Sequence, residues 1–190
     1  MNYYDENGQE FFDSTVNTDM SSHYDEFLAL IPENGSILDA GCGSGRDTLK
    51  FKSLGYEVTA IDGSEKMCEL ASRHSGVKVK HMQFQEIEFD NEFDGIWASA
   101  SLLHVPSDEL EDVLERLKKS LKNNGIFYAS FKLGDFEGER NGRFFNDFTE
   151  STAKELFENI GFEIIKTWLT NDARLERQHE KWVNVIVKKP

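Results

Sequence analysis

The chain has 190 residues, a formal net charge of −14 and two cysteines. Its length suits one domain with one core, and its acidity argues against a nucleic-acid or anionic-membrane partner. Two cysteines make neither a disulfide framework nor a metal site, and with no apolar run near 18 residues and no signal peptide we expect a soluble, cytoplasmic protein.

Residues 1–20 mix acidic and aromatic side chains. Four residues fall roughly on one face of a predicted helix: Tyr4, Phe11, Phe12 and Thr15. A helix packed on the edge of the domain is one interpretation, and a lid over a ligand is the other. A second helix is predicted around residues 27–31, because Pro32 follows it directly.

A glycine-rich turn follows the first predicted strand, residues 36–40. The glycines alternate at Gly41, Gly43 and Gly45, and a helical pattern begins after them. Glycines at this spacing let the backbone turn sharply and let a ligand lie against it. A turn that only serves the structure is the alternative.

The residues around this turn favour a ligand. A second apolar run, residues 56–61, ends at Asp62, an acid at the distance that suits two ribose hydroxyls. The G-x-G-x-G spacing differs from the G-x-G-x-x-G of dinucleotide enzymes, and Asp39 stands shortly before the turn. An acid there would repel a pyrophosphate but suits an ammonium and a sulfonium. The pattern therefore points to S-adenosylmethionine rather than NAD.

Strands and helices alternate along the rest of the chain, which implies a parallel sheet with helices on both faces. A final strand pair without a helix between its members implies one antiparallel strand. The predicted elements after Asp62 are a helix capped by Ser64, a weak strand at 77–80, a strand at 93–99, a helix capped by Ser107, a strand at 126–131, a loop at 133–148, a helix capped by Thr149, and strands at 162–169 and 182–188.

The chain resembles the class I S-adenosylmethionine-dependent methyltransferases through residues 37–45, 62–64, 84–87 and 93–104. The resemblance implies an α/β, Rossmann-like fold with seven strands in the order 3-2-1-4-5-7-6 and the last strand antiparallel. It also implies one methyltransferase domain over 1–190, in which residues 1–20 form a helical lid. Within that family the chain looks most like the small bacterial tellurite-resistance-type methyltransferases.

The resemblance also implies a set of residues that bind S-adenosylmethionine. Asp39 and the glycines would hold the methionine end, Asp62 the ribose, and either Gln85 or Glu86 the adenine amino group. The full set is Asp39, Gly41, Gly43, Arg46, Asp62, Gly63, Ser64, Met67, Gln85, Glu86, Ala98 and Ser99. No metal-ligand spacing is present in the sequence.

Methyl transfer from a sulfonium needs alignment and exclusion of water more than a base. His104 is the best candidate for a base, and a histidine satisfied by its neighbours is the alternative. Arg143, Arg174 and Arg177 are predicted to bind an anionic part of the acceptor, since arginine pairs bidentately with oxyanions. The alternative is that they pair with local acids and fix their loops.

We therefore expect a methyltransferase for a small acceptor, with an anionic acceptor favoured by the arginines. It would be a monomer or homodimer, with no nucleic-acid or membrane partner. The rival functions are methylation of RNA or protein, and a non-catalytic S-adenosylmethionine-binding subunit.

Overall fold

The computed structural model describes residues 3–190, so the first two residues of the predicted lid lie outside the described residues. The α-helices are α1 (Tyr3–Thr15), α2 (Ser21–Leu28), α3 (Arg46–Ser53), α4 (Glu65–Ser75), α5 (Ser107–Ser120) and α6 (Glu150–Asn159). The strands are β1 (Ser36–Ala40), β2 (Glu57–Asp62), β3 (Lys80–His81), β4 (Phe93–Ala98), β5 (Leu121–Lys132), β6 (Glu137–Arg140), β7 (Arg143–Asn146), β8 (Glu163–Asn171) and β9 (Lys181–Lys188).

Seven strands form one sheet in the order β3-β2-β1-β4-β5-β9-β8. β1 pairs in parallel with β2 and β4, whereas β9 is antiparallel to both of its neighbours, β5 and β8. The predicted fold class and strand order are therefore confirmed, with β8 and β9 as the sixth and seventh strands of the prediction.

Helices cover both faces of this sheet, as predicted. Successive residues of a strand point to opposite faces, so Leu38 packs in one buried cluster and Ile37 in another. The Leu38 cluster includes side chains of α5 and α6, such as Leu114 and Phe157. The Ile37 cluster includes Phe27 of α2 and Phe51 of α3. A strand buried on both sides is what a parallel sheet requires.

Several local predictions were wrong. The second helix is Ser21–Leu28 rather than residues around 27–31. The third strand is Lys80–His81 rather than 77–80, because the Val79 N–H donates to Ser72 Oγ (2.9 Å) instead of joining the sheet. Ser107 is inside α5 after Pro106 rather than its N-cap, and its hydroxyl binds Glu137 (2.9 Å). The fifth strand begins at Leu121, directly after α5, instead of at 126.

The region predicted as a loop at 133–148 contains a hairpin of β6 and β7. The two residues between its strands, Asn141 and Gly142, have φ of 53° and 75°. An Asn-Gly pair with both φ positive is the typical two-residue hairpin turn. The dipeptide was a usable signal for this hairpin.

The predicted helix caps at Ser64 and Thr149 are confirmed, since each side chain accepts from the helix's first turn. The glycine turn is also confirmed: Gly41, Gly43 and Gly45 have φ of 80°, 51° and 75°. At Gly45 an added Cβ would lie 2.9 Å from Ala71 Cβ, so the turn also allows α3 to approach α4 closely.

Gly45→Ala should lower the free energy of unfolding by about 2–4 kcal/mol, because it combines a left-handed φ with overpacking against α4. Gly76→Ala is the matched control: its φ is also positive (65°), but its nearest neighbour is the flexible end of Lys52. That variant should lose only about 1 kcal/mol. Equal losses in urea denaturation would contradict the close packing of α3 on α4.

Candidate active site

A cavity of about 980 Å³ lies at the carboxyl ends of the parallel strands. This is where open α/β sheets bind ligands. Of the predicted site residues, it is lined by Gly41, Gly43, Arg46, Asp62, Gly63, Met67, Gln85, Ser99, His104, Arg143, Arg174 and Arg177. The other four, Asp39, Ser64, Glu86 and Ala98, are not part of its lining. The fold thus brings most of the predicted set together from six separate stretches of chain.

Asp62, at the end of β2, joins the glycine turn to the start of α4. Its two carboxylate oxygens accept from the backbone N–H groups of Gly43 and Ser64, each at 2.9 Å. Burial raises the pKa of Asp62 to about 6, although these two hydrogen bonds oppose the rise. The carboxylate is therefore fixed in position on the cavity wall with part of its surface exposed.

Asp39 lies behind the turn and is fully buried, where it accepts from Thr48 Oγ1 (2.5 Å). Burial, and then the nearby charge of Asp47, raise the pKa of Asp39 to about 8. Burial and the charge of Asp47 therefore both disfavour the ionised form of Asp39.

The nearby Asp47 behaves oppositely. Burial opposes its ionisation, but Arg46 and two further donors outweigh this effect and lower its pKa. Arg46 donates to both oxygens of Asp47 (2.6 and 2.9 Å), Tyr24 donates its hydroxyl proton (2.5 Å), and Trp97 donates from Nε1 (2.8 Å). The guanidinium of Arg46, predicted to bind cofactor, is thus held by a carboxylate although it borders the cavity.

The two candidates for binding the adenine, Gln85 and Glu86, lie in the same short turn but differ in their surroundings. Gln85 borders the cavity, whereas Glu86 accepts from the backbone N–H of Gln83 (2.7 Å) within the short 3₁₀ turn Phe84–Glu86. The Gln85 amide donates to Glu109 (2.5 Å).

Helix α1 closes one side of the cavity. Asp5 accepts from Ser64 Oγ (2.6 Å), and Ser64 in turn caps α4 through the N–H of Met67 (3.2 Å). Phe11 lies over the turn, since a Cβ added to Gly43 would be 3.3 Å from its ring. Ser64 therefore joins two helices rather than facing the cavity.

Both ring nitrogens of His104 have partners. Nδ1 is 2.6 Å from the Phe144 carbonyl oxygen, and Nε2 is 2.7 Å from the Tyr4 hydroxyl. A carbonyl only accepts, so Nδ1 holds the proton and Nε2 accepts from Tyr4. Burial lowers the pKa of His104 to about 4, and the ring is neutral at pH 7. This geometry is that of the satisfied histidine which the sequence left open as the alternative.

The three predicted arginines differ in their partners. Arg174 is bound bidentately by Asp172 (2.9 and 2.7 Å), and Arg177 is 3.9 Å from Glu180. Arg143 forms no ion pair within residues 3–190; it donates to the Tyr4 oxygen (3.3 Å) and stacks over the Tyr3, Tyr4 and Phe145 rings. Its Nε is buried with no hydrogen-bond partner among the described residues.

Comparison with known proteins agrees with this architecture. The family profile described as "Methyltransferase domain" matches residues 37–125, which include the glycine turn, Asp62 and His104. An uncharacterized methyltransferase of Staphylococcus carnosus is 28% identical over 93% of this chain and 94% of its own length. The chain is a class I S-adenosylmethionine-dependent methyltransferase.

Further relatives of this methyltransferase are similar over less of their length. A putative methyltransferase of Bacillus subtilis, YqeM, is 31% identical over 78% of this chain and 63% of its own. The chain spans 44% of a ubiquinone biosynthesis O-methyltransferase of Rickettsia akari, at 30% identity. The 1,6-didemethyltoxoflavin-N1-methyltransferase of Burkholderia thailandensis, solved with its acceptor and S-adenosylhomocysteine, has a TM-score of 0.79 at 24% identity, covering 98% of this chain and 84% of that one.

Several polar residues of the methyltransferase's cavity were missed in the sequence. Lys132, Trp182 and Asn184 all line it. Lys132 forms an ion pair with Glu180 and lies 4.7 Å from the centre of the Trp182 ring. Asn184 is fully buried and accepts from the Tyr128 hydroxyl (2.8 Å). An asparagine among the apolar residues of β9 was the one available signal.

Within residues 3–190 no helix is long and apolar enough to cross a membrane. Over the same range no group of three or more histidine, cysteine, aspartate or glutamate side chains is placed to hold a metal ion.

Asp39→Asn should change how stability depends on pH. Because folding raises the pKa of Asp39 from 3.8 to about 8, the wild-type free energy of unfolding falls as pH rises between those values. The variant should lack this fall, which amounts to about 2–5 kcal/mol between pH 5 and 9. Denaturant titrations at several pH values measure it.

Asp94→Asn is the control for that measurement. Burial opposes ionisation of Asp94, but the Ser36 N–H and Lys122 outweigh it and lower its pKa, so its contribution is lost only in acid. The same pH slope in wild type and Asp39→Asn would contradict a raised pKa of Asp39 in the folded protein.

Proposed function

We propose that this methyltransferase transfers the methyl group of S-adenosylmethionine to a small acceptor with an anionic group, and that Arg143 binds that group. The observation behind the proposal is the state of Arg143. It borders the cavity without an ion pair in residues 3–190, and its Nε is a buried donor without an acceptor. Leaving such a donor unpaired costs about 1–3 kcal/mol, a cost that a bound oxyanion would remove.

The residues present fit S-adenosylmethionine along the wall that the glycine turn and Asp62 form. The positive-φ glycines at Gly41 and Gly43 expose backbone there, and Asp62 presents a fixed carboxylate suited to ribose hydroxyls. Asp39 behind the turn would ionise beside a cation and favour it. Gln85, rather than Glu86, is the candidate for the adenine. When bound, the cofactor supplies a methyl group already activated by its sulfonium.

The remaining residues of the predicted site orient the ligands and enclose the cavity. Ser64 and Ala98 lie behind the wall and support it, whereas Met67 and Ser99 border the cavity. Helix α1 covers the opening through Asp5 and Phe11, which supports its role as a lid that excludes water. Arg174, bound to Asp172, fixes the loop before β9, and Arg177 borders the cavity as a second candidate for the anion.

The acceptor class draws support from the relatives. By their names, one is an O-methyltransferase of ubiquinone biosynthesis and another methylates 1,6-didemethyltoxoflavin, a small molecule. The closer resemblance to tellurite-resistance-type enzymes stays a prediction, as do a cytoplasmic location and a monomeric or homodimeric state. Methylation of protein or RNA and a non-catalytic role are the competing proposals.

Release of S-adenosylhomocysteine from purified protein tests the proposal. A panel should pair each anionic acceptor with a neutral analogue of the same size, for instance a carboxylate with its amide, and should include selenite and tellurite. We expect turnover with anionic members and little with their neutral partners. Preference for neutral members, or turnover only with protein or RNA, would overturn it.

Asp62→Asn should weaken S-adenosylmethionine binding by about 2–4 kcal/mol, because one carboxylate oxygen becomes a donor facing the ribose. Calorimetry measures this loss, with Asp94→Asn as the control for a lost charge away from the cavity. Wild-type protein should bind S-adenosylmethionine and not NAD. Micromolar binding of NAD in its place would refute the assignment.

Arg143→Lys should raise the acceptor KM about tenfold with cofactor affinity unchanged, because lysine keeps the charge but loses the planar fork. Arg174→Lys is the matched comparison. Since Arg174 already forms a bidentate pair with Asp172, its replacement should lower the Tm and leave KM intact. The reverse pattern would show that Arg174 rather than Arg143 binds the acceptor.

A further inference from the structure

We infer that Tyr4 is a positioning residue for the acceptor: its hydroxyl, oriented by His104, fixes the guanidinium of Arg143 at the cavity. The inference rests on the proposed function of Arg143. It assigns to α1 a part in the acceptor site in addition to covering the cavity.

The hydrogen bonds around His104 have a fixed direction. The Phe144 carbonyl can only accept, so it fixes the proton of His104 on Nδ1 and leaves Nε2 as an acceptor. The Tyr4 hydroxyl must then donate to Nε2 (2.7 Å). Its oxygen keeps its lone pairs for other donors, and Arg143 uses one of them at 3.3 Å. The chain of bonds therefore has a single direction, from Arg143 through Tyr4 to His104.

Aromatic rings and the Tyr4 hydroxyl together place the Arg143 guanidinium. Its guanidinium carbon lies 4.9 Å from the Tyr3 ring centre and 5.0 Å from that of Phe145. Ring stacking restrains the guanidinium plane but leaves rotation within the plane free. The bond to Tyr4 is the directional contact that removes this freedom. Among residues 3–190 no carboxylate does so.

Helix α1 connects this contact to the part of the cavity wall where α4 begins. Tyr4 and Asp5 are adjacent in α1, and Asp5 accepts from Ser64 Oγ at the start of α4. Gly8, one turn further on, lies against Lys66 and Met67, since an added Cβ would be 2.7 Å from Lys66 Cγ. The contacts that hold α1 against the start of α4 therefore also hold Tyr4 beside His104 and Arg143.

His104 acts here through Tyr4 and not as a base. Its pKa, lowered by burial to about 4, makes it a weak proton acceptor, and Nε2 is already bonded. The ring is neutral at pH 7, so it holds one tautomer and gives Tyr4 a constant acceptor.

Tyr4→Phe and Tyr3→Phe form a matched pair for the test. Each removes one hydroxyl from neighbouring residues and keeps a ring under Arg143, but only the Tyr4 hydroxyl takes part in the bonds above. The first measurement uses protein labelled with ¹⁵N in the arginine side chains, with S-adenosylhomocysteine as the sole ligand. The Arg143 Nη1 group is the donor to Tyr4. Tyr4→Phe should therefore speed exchange of the Arg143 Nη1 protons at least tenfold, and Tyr3→Phe should change it less than threefold. Equal exchange rates in the two variants would overturn the inference.

The second measurement uses the acceptor identified by the release assay. Tyr4→Phe should raise its KM about tenfold, with kcat and S-adenosylhomocysteine affinity within twofold of wild type. His104→Leu should match Tyr4→Phe, whereas His104→Gln, whose amide can both donate to Phe144 and accept from Tyr4, should recover most of the loss. An unchanged KM in Tyr4→Phe refutes the inference.

The two proposals fail in distinguishable ways. Failure of Arg143→Lys to alter KM would refute the proposed function of Arg143, while the exchange rates would still report whether Tyr4 positions it. A raised KM in Arg143→Lys with wild-type behaviour in Tyr4→Phe would refute only the role of Tyr4.

Discussion

The buried carboxylate of Asp47 is the interaction on which the site's wall depends. A charge without solvent is tolerated only when donors surround it, and here Arg46, Tyr24 and Trp97 supply four hydrogen bonds. These donors come from α3, α2 and β4, so one anion joins three elements. Because Asp47 lies in the first turn of α3, directly after the glycine turn, satisfying it also fixes where that turn stands.

The same network separates two carboxyl groups that are close in the fold. Asp47 takes the arginine and stays ionised, and this leaves Asp39 without a cation of its own. Asp39 behind the glycine turn would ionise beside a ligand with positive charge and stabilise it. Binding of a cation there would be coupled to loss of the Asp39 proton, whereas Arg143, which borders the same cavity, presents its guanidinium to an anion.

The sequence was sufficient for the glycine turn and for Asp62 at the end of a strand, because these depend on local periodicity and on residues near each other in the chain. The order of the strands came from the family resemblance and not from periodicity. The sequence was insufficient for contacts made by folding. Tyr4 and His104 are 100 residues apart, and nothing local to either predicts their hydrogen bond. The same holds for the arginines: their number near the site was visible, but which of them an acid already holds depended on the β6–β7 hairpin and on Asp172.

A crystal structure with S-adenosylhomocysteine tests the central claim most directly. The account predicts the ribose on Asp62, the adenine beside Gln85, and the sulfur on the side of the cavity where Arg143 and Tyr4 meet. A nucleoside bound elsewhere, or an Arg143 guanidinium turned to bulk solvent and away from the sulfur, would contradict it.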